Sequence, residues 1–181
     1  MLYKILGRGS VVVLAAFIII SGVLIGINRK HFPEAKEVYS DSAVEWCGCE
    51  IIPVSKEVYS VDEYLEEFPN DKNYSYLKNN GKDYSDDAIV VVKIKVKNNN
   101  SDKVSFLLSN MCMELYPYMA SNGIPIISGK TRIEPGEEAE QTGAVLFTPT
   151  QLRNCSIEKV KNSRVQLVIS YYPEKIAVLF E

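Results

Sequence analysis

Four cysteines and two methionines have the spacing that most suggests chemistry: Cys47-Gly48-Cys49, Met111-Cys112-Met113 and Cys155. Thiolates with thioethers suit a soft ion such as Cu(I), and thiolates alone suit zinc, so Cys47, Cys49, Cys112, Met111 and Met113 are the candidate metal ligands. Against that reading, Met111 and Met113 alternate with Cys112 on an expected strand, so the three cannot face one ion, and core filling explains the methionines as well. Four cysteines in an exported domain also permit two disulfides in three connectivities. Cys47 and Cys49 are expected on one strand face, where a bridge between them would be strained, so each would seek Cys112 or Cys155. Long-range disulfides, buried free thiols and a soft-metal site are thus three open readings of the same residues.

Other reactive types are sparse. His31 is the only histidine and lies close behind a hydrophobic run, which removes the usual base for a Ser-His or Cys-His pair. Carboxylates are plentiful (Asp62, Glu63, Glu66, Glu67, Asp86, Asp87, Glu134 to Glu140), but none shows the alternating-oxygen calcium loop, and nothing singles out a pair for glycoside hydrolysis. Tyrosines gather with Asn and Ser around residues 70–87, and Tyr74, Tyr76 and Tyr84 are the candidate recognition residues of that loop. No cofactor is expected.

The element that would position all of this is the run Val11–Ile27 (VVVLAAFIIISGVLIGI), free of charge and proline. As a helix it would span roughly 26 Å, close to a bilayer's hydrocarbon core. A cleaved signal peptide usually has a hydrophobic region of about 7–15 residues ending at a small-x-small site, and this run leaves through Leu24-Ile25-Gly26-Ile27 without one. The organisation read from sequence is a cytoplasmic tail at 1–10, a transmembrane anchor at 11–27, a polar stalk at 28–37 and one extracellular domain at 38–181. Lys4 and Arg8 against Arg29, Lys30 and Lys36 nearly balance the positive-inside count, so the outward orientation rests on the short N-terminal tail and the β-rich, cysteine-bearing domain. Beyond the run the chain loses two of its 20 basic residues and none of its 23 acids, leaving about −5. The basic residues are scattered, which excludes a nucleic-acid footprint.

Within the domain, Ser60-Val61-Asp62-Glu63 is a capping box opening a short helix that Pro69 stops. AIVVVKIKVKN (88–98) alternates, with Val90, Val92, Ile94 and Val96 on one face and Lys93, Lys95 and Lys97 on the other, the pattern of a half-buried antiparallel strand. Glu134-Pro135-Gly136-Glu137 carries type II turn residues. Strands are expected near 104–108, 111–118, 124–127, 130–133 and 140–147, with a closing hairpin at 164–172 and 175–180. About eight or nine short strands with one short helix make the domain all-β, an antiparallel sandwich.

The succession IVVVKIKVKNNNSDKVSFLLSNMCMEL, then RIEPGEEAEQTGAVLFT, then VQLVISYY, resembles the immunoglobulin-like domains of unknown function found behind N-terminal anchors or lipid-attachment sites in Gram-positive bacteria. The shared pattern is a long alternating strand ending in Asn, a Ser/Asp turn and a later hydrophobic-x-Pro-Gly-Glu turn, and it spans Ile89 to Tyr171. The chain departs from lipid-attached members in lacking the membrane-proximal cysteine. The resemblance implies an immunoglobulin-like sandwich and no catalytic residues. The expectation is a single-pass, membrane-anchored binding or accessory module of an envelope complex, meeting a protein partner at the cell surface. A copper- or zinc-binding surface protein is the first alternative and a carboxylate-dependent envelope enzyme the second.

Overall fold

Twelve strands, two short α-helices and two 3-10 turns (Ser75–Asn79 and Leu108–Asn110) make up residues 36–180 of a computed structural model that describes residues 17–21, 23, 36–79 and 81–180. The strands are β1 (Lys36–Ser40), β2 (Val44–Trp46), β3 (Cys49–Ser60), β4 (Ala88–Asn98), β5 (Val104–Ser105), β6 (Cys112–Tyr116), β7 (Ala120–Asn122), β8 (Ile126–Gly129), β9 (Arg132–Ile133), β10 (Glu138–Phe147), β11 (Arg164–Ser170) and β12 (Glu174–Phe180). The helices are α1 (Val61–Glu67) and α2 (Ile157–Lys161). Residues 17–21 and 23 are helical, and among the described residues no helix is long and apolar enough to cross a membrane. Most of the expected anchor Val11–Ile27, the whole tail and nearly all of the stalk lie outside the described residues.

The first sheet has the order β1-β12-β11-β6-β7 and the second β2-β3-β4-β10-β8, with β5 and β9 forming a separate two-stranded ribbon. The fold is therefore an all-β sandwich, as the alternation implies, but with more strands than the eight or nine expected. The extra ones are pieces of two to five residues, too short for a period of two to register in the sequence. Helix α2 was missed for the same reason: it is barely more than one turn, and its one buried residue is Val160.

Alternation explains the core. Val90, Val92, Ile94 and Val96 of β4 meet Met113 and Leu115 of β6, Val165 and Leu167 of β11 and Val178 of β12 in one buried cluster between the sheets. Two polar side chains are built into it. Asn98, fully buried at the end of β4, donates through Nδ2 to Asp102 O and Ile133 O and accepts from Asn100 N. Gln141 donates to Phe106 O and Lys130 O. The strand-ending Asn thus ties the β4–β5 turn to β9, which is a structural reason for its place in the pattern.

Pro53 sits in β3 where β2 has already stopped pairing, and the register against β4 slips between Pro53 and Ser55. A missing N–H is tolerated at such a bulged edge. The capping box forms as read: Glu63 N donates to Ser60 Oγ and Ser60 N to Glu63 Oε2. The turn at 134–137 also forms, with Glu137 N bonded to Glu134 O and Gly136 at φ +73°.

Candidate functional site

The cysteine and methionine candidates are not brought together. Cys47 and Gly48 are the two central residues of the β2–β3 hairpin, at φ +50° and +72°, so Cys47 is exposed at the tip while Cys49 enters the core. The expectation that they share one strand face fails because a type I′ turn intervenes. Met111 and Met113 lie in the core, and alternation turns Cys112 to the outer face of the first sheet, beside Val168 and Ala177. That sheet separates Cys112 from Cys49. Cys155, half-buried, meets the Tyr118 hydroxyl. All four are free thiols. Among the described residues no three His, Cys, Asp or Glu side chains group as metal ligands do.

The tyrosine loop is placed differently from its reading as a recognition element. It folds over the outer face of the second sheet with α1, and Tyr74 is buried with Val61, Tyr64, Leu65 and Leu77 against Ile89, Val91 and Ala144. Tyr84 packs against the same cluster, and Tyr76 is exposed. The Tyr64 hydroxyl donates to Asp71 Oδ2 at 3.0 Å, so an apparently polar loop is pinned by buried aromatics. The remainder of this outer face carries Lys93, Lys95 and Lys97, with Lys95 3.3 Å from Glu138. It is a surface covered at one end by a helix and loop and carrying lysines at the other.

The outer face of the first sheet is unlike it. Tyr39 from β1, Lys175 from β12, Arg164 and Gln166 from β11, and Glu114 and Tyr116 from β6 share it, and Tyr171 and Tyr172 follow β11 at the rim. Tyr116, Tyr171 and Tyr172 are 65%, 53% and 82% exposed. At the centre Lys175 Nζ lies 3.0 Å from Glu114 Oε2, 5.5 Å from the Tyr39 ring centroid and 5.7 Å from that of Tyr171. Tyr171 donates its hydroxyl to Glu114 Oε1 at 2.8 Å. Burial alone would lower the Lys175 pKa, but bonds to Glu114 and Tyr39 outweigh it and raise the value. Burial, then Cys112 and Glu114, holds the Tyr171 hydroxyl well above the ordinary phenol range. The result is a neutralised, ordered centre ringed by exposed tyrosines, the composition of protein-binding surfaces.

Two concavities open on this face. One of about 300 Å³ is lined by Tyr39, Tyr116, Arg164 and Gln166. The other, of about 240 Å³, lies across Tyr116 and Gln166 toward Pro117, Met119 and Ala120. Gln166 Oε1 is buried without a hydrogen-bond partner. The face joins residues 39 to 175, so no local spacing announced it; the one signal was Tyr171-Tyr172 at a hairpin, where turn residues are usual.

An all-β sandwich with one aromatic sheet face is the class these observations define. No protein-family model matches the chain, and no curated protein does. Among solved structures it is similar to an uncharacterized β-sandwich protein of Clostridium difficile 630, at 16% identity and TM-score 0.43 over 82% of this chain and 95% of that one. A functionally unknown protein of Listeria monocytogenes EGD-e is similar at 14% identity and TM-score 0.41, covering 70% of each chain. A conserved hypothetical protein of Bacillus anthracis is similar at 11% identity and TM-score 0.38, over 77% of this chain and 93% of that one.

Proposed function

We propose that the chain is a membrane-anchored recognition module whose immunoglobulin-like sandwich stands outside the cell and binds a protein partner of an envelope complex through the outer face of the first sheet. The observation that carries the reading is the contrast between the two outer faces. One is covered by α1 and the tyrosine loop and beyond them carries Lys93, Lys95 and Lys97, Lys95 beside Glu138; the other leaves Tyr116, Tyr171 and Tyr172 exposed around a neutralised Lys175–Glu114 pair. The immunoglobulin-like assignment is supported by the strand order, in which β4 pairs β10 in one sheet while β6, β11 and β12 adjoin in the other. The anchor is supported by the length and uninterrupted apolarity of Val11–Ile27.

Two measurements on cells producing the full chain test this. A membrane-impermeant maleimide is expected to label Cys47, the exposed thiol, in intact cells and not a Cys47→Asn variant; labelling only after permeabilisation contradicts the orientation. A photo-crosslinking residue at position 116 or 172 is expected to give a discrete adduct that one at position 95 does not. Equal adducts from both faces, or none from the first sheet, contradict the surface.

A further inference from the structure

The β2–β3 hairpin places a cysteine where its turn asks for another residue. Cys47 sits at φ +50°, a position that favours asparagine, and Gly48 follows at φ +72°. A side chain held in that region at a cost points to a use for its chemistry. We propose that Cys47 and Cys49 are a thiol–disulfide exchange pair acting on disulfides of other polypeptides, in which Cys47 attacks the substrate and Cys49 releases it. The pair belongs to the second sheet and uses no residue of the proposed binding face.

Exposure divides the labour. Cys47 is open to solvent at the hairpin tip, and Cys49 is only 3% exposed. A substrate sulfur therefore reaches the first thiol and not the second. With about 3.8 Å between successive Cα atoms and a tight turn at Gly48, the two Cα atoms stand about 5.5–6 Å apart, within the range a disulfide spans. The β4–β5 turn grips both halves of the tip: Asn100 Nδ2 lies 3.1 Å from Cys47 O and 4.0 Å from Cys49 Sγ, and Asn99 N donates to Gly48 O at 2.9 Å. Only glycine fits between the thiols, because a Cβ on Gly48 would stand 2.2 Å from Asn100 Oδ1.

The exchange balances with the substrate disulfide as its one co-reactant. Cys47, its proton lost to water, attacks one substrate sulfur; a bond to Cys47 Sγ forms and the other substrate sulfur leaves as a thiolate. Burial, then the charge of Cys47, pushes the Cys49 thiol up, so Cys49 stays protonated while Cys47 is a free thiolate. The mixed disulfide removes that charge. Cys49 then gives its proton to the departed thiolate, turns about its side-chain torsion and attacks Cys47 Sγ. The Cys47–Cys49 bond forms, the second substrate sulfur leaves, and two electrons have passed from the chain to the substrate. A bridge across one glycine of a two-residue turn is strained, which favours the reverse passage of the disulfide to a substrate dithiol. The pair therefore gives up its disulfide more readily than it keeps it.

The test uses the full chain, purified in detergent micelles, reduced, mixed with oxidised glutathione, quenched with acid and mapped by mass spectrometry. The peptide holding both thiols is expected to lose two hydrogens as the Cys47–Cys49 bridge forms. Cys49→Ala is expected to stop at a glutathione adduct on Cys47, and Cys47→Asn, which keeps the turn, to do neither. In a glutathione buffer the bridge is expected to be at least about a hundredfold easier to reduce than the structural disulfides of secreted proteins. With scrambled ribonuclease A as the polypeptide substrate, the chain is expected to restore activity about tenfold faster than Cys47→Asn does, and Cys155→Ala to match the parent. A lasting glutathione adduct on the parent's Cys47, a bridge to Cys112 or Cys155 instead, or no reaction overturns the proposal. So does a bridge as hard to reduce as a structural one, or ribonuclease recovery no faster than with Cys47→Asn. The parent's own map decides even where Cys49→Ala does not fold.

Discussion

Removing one hydroxyl, in Tyr74→Phe, should cost about 2 kcal/mol, because that hydroxyl does the work of a missing strand. β8 pairs β10 only over Gln141–Gly143, and past the Ala144 N–H, which donates to Pro125 O at 3.0 Å, that edge of β10 is open. There the Tyr74 hydroxyl donates to Ala144 O at 3.2 Å and accepts from Leu146 N at 3.1 Å, the two edge groups a neighbouring strand would have used. Burial pushes its pKa up to about 12, against the lowering effect of the Leu146 N–H. Phenylalanine fills the same space, so no cavity term enters. The loss is two hydrogen bonds at about 0.5–1.5 kcal/mol each, plus part of the roughly 1–3 kcal/mol for stranding a buried backbone group. Both bonds are longer than usual, about 2.7–2.8 Å for O–H···O and about 2.9–3.0 Å for N–H···O, which favours the lower half of that range and gives the estimate of about 2 kcal/mol. For a chain of this size that corresponds to a fall in Tm of about 4–8 °C. Urea unfolding is followed through Trp46, the only tryptophan, which packs edge-on against Phe106. Tyr76→Phe, at an exposed ring, should stay within about 0.5 kcal/mol of the parent. A Tyr74→Phe variant equally unperturbed would refute the edge-sealing argument.

Three further outcomes follow from local geometry. Cys47→Asn should stabilise by about 0.5–1 kcal/mol, since φ +50° disfavours cysteine and Asn-Gly is the preferred type I′ pair; a loss of stability in the same urea assay contradicts this. Burial, then the charges of Asp86 and Asp83, raises the Asp87 carboxyl above its ordinary value of 3.8. The folded chain thus holds that proton more tightly than the unfolded one, and stability falls as pH rises through the interval between the two values. Asp87→Asn should therefore have the higher urea midpoint at pH 7, with the gap closing below about pH 4, and a lower midpoint at pH 7 opposes the assignment. Gly129→Ala should lose about 3 kcal/mol in thermal melting, because at φ +122° its Cβ would stand 2.4 Å from Glu140 O and 2.7 Å from Gln141 Cα; a change below 0.5 kcal/mol contradicts it.

What could be read from the chain was whatever a short window contains. The alternation of β4, the Ser60–Glu63 capping box, the Glu134–Glu137 turn and the closing hairpin each depend on neighbours within a few residues, and each is present. Tyr74 misled because a polar loop with tyrosines reads alike whether the rings face solvent or anchor it. Only the bare strip of Ile89, Val91 and Ala144 that the loop must cover decides between the two. The Cys47-Gly48-Cys49 segment misled because two positive φ angles convert an expected strand into a turn, and Gly48 alone hinted at it. The candidate binding face was not legible, since its ion pair joins Glu114 to Lys175 and its ring contacts add Tyr39, separations that only strand pairing closes.

The central claim is that the outer face of the first sheet is covered by a partner where the protein works. Hydroxyl-radical footprinting of the full chain, in the cells that produce it and after purification, tests it most directly. The account expects Tyr116, Met119, Tyr171 and Tyr172 to be protected in cells and to become reactive on purification, while the exposed Tyr76 on the other side reacts equally in both. Equal reactivity of those four residues in cells and after purification would contradict it.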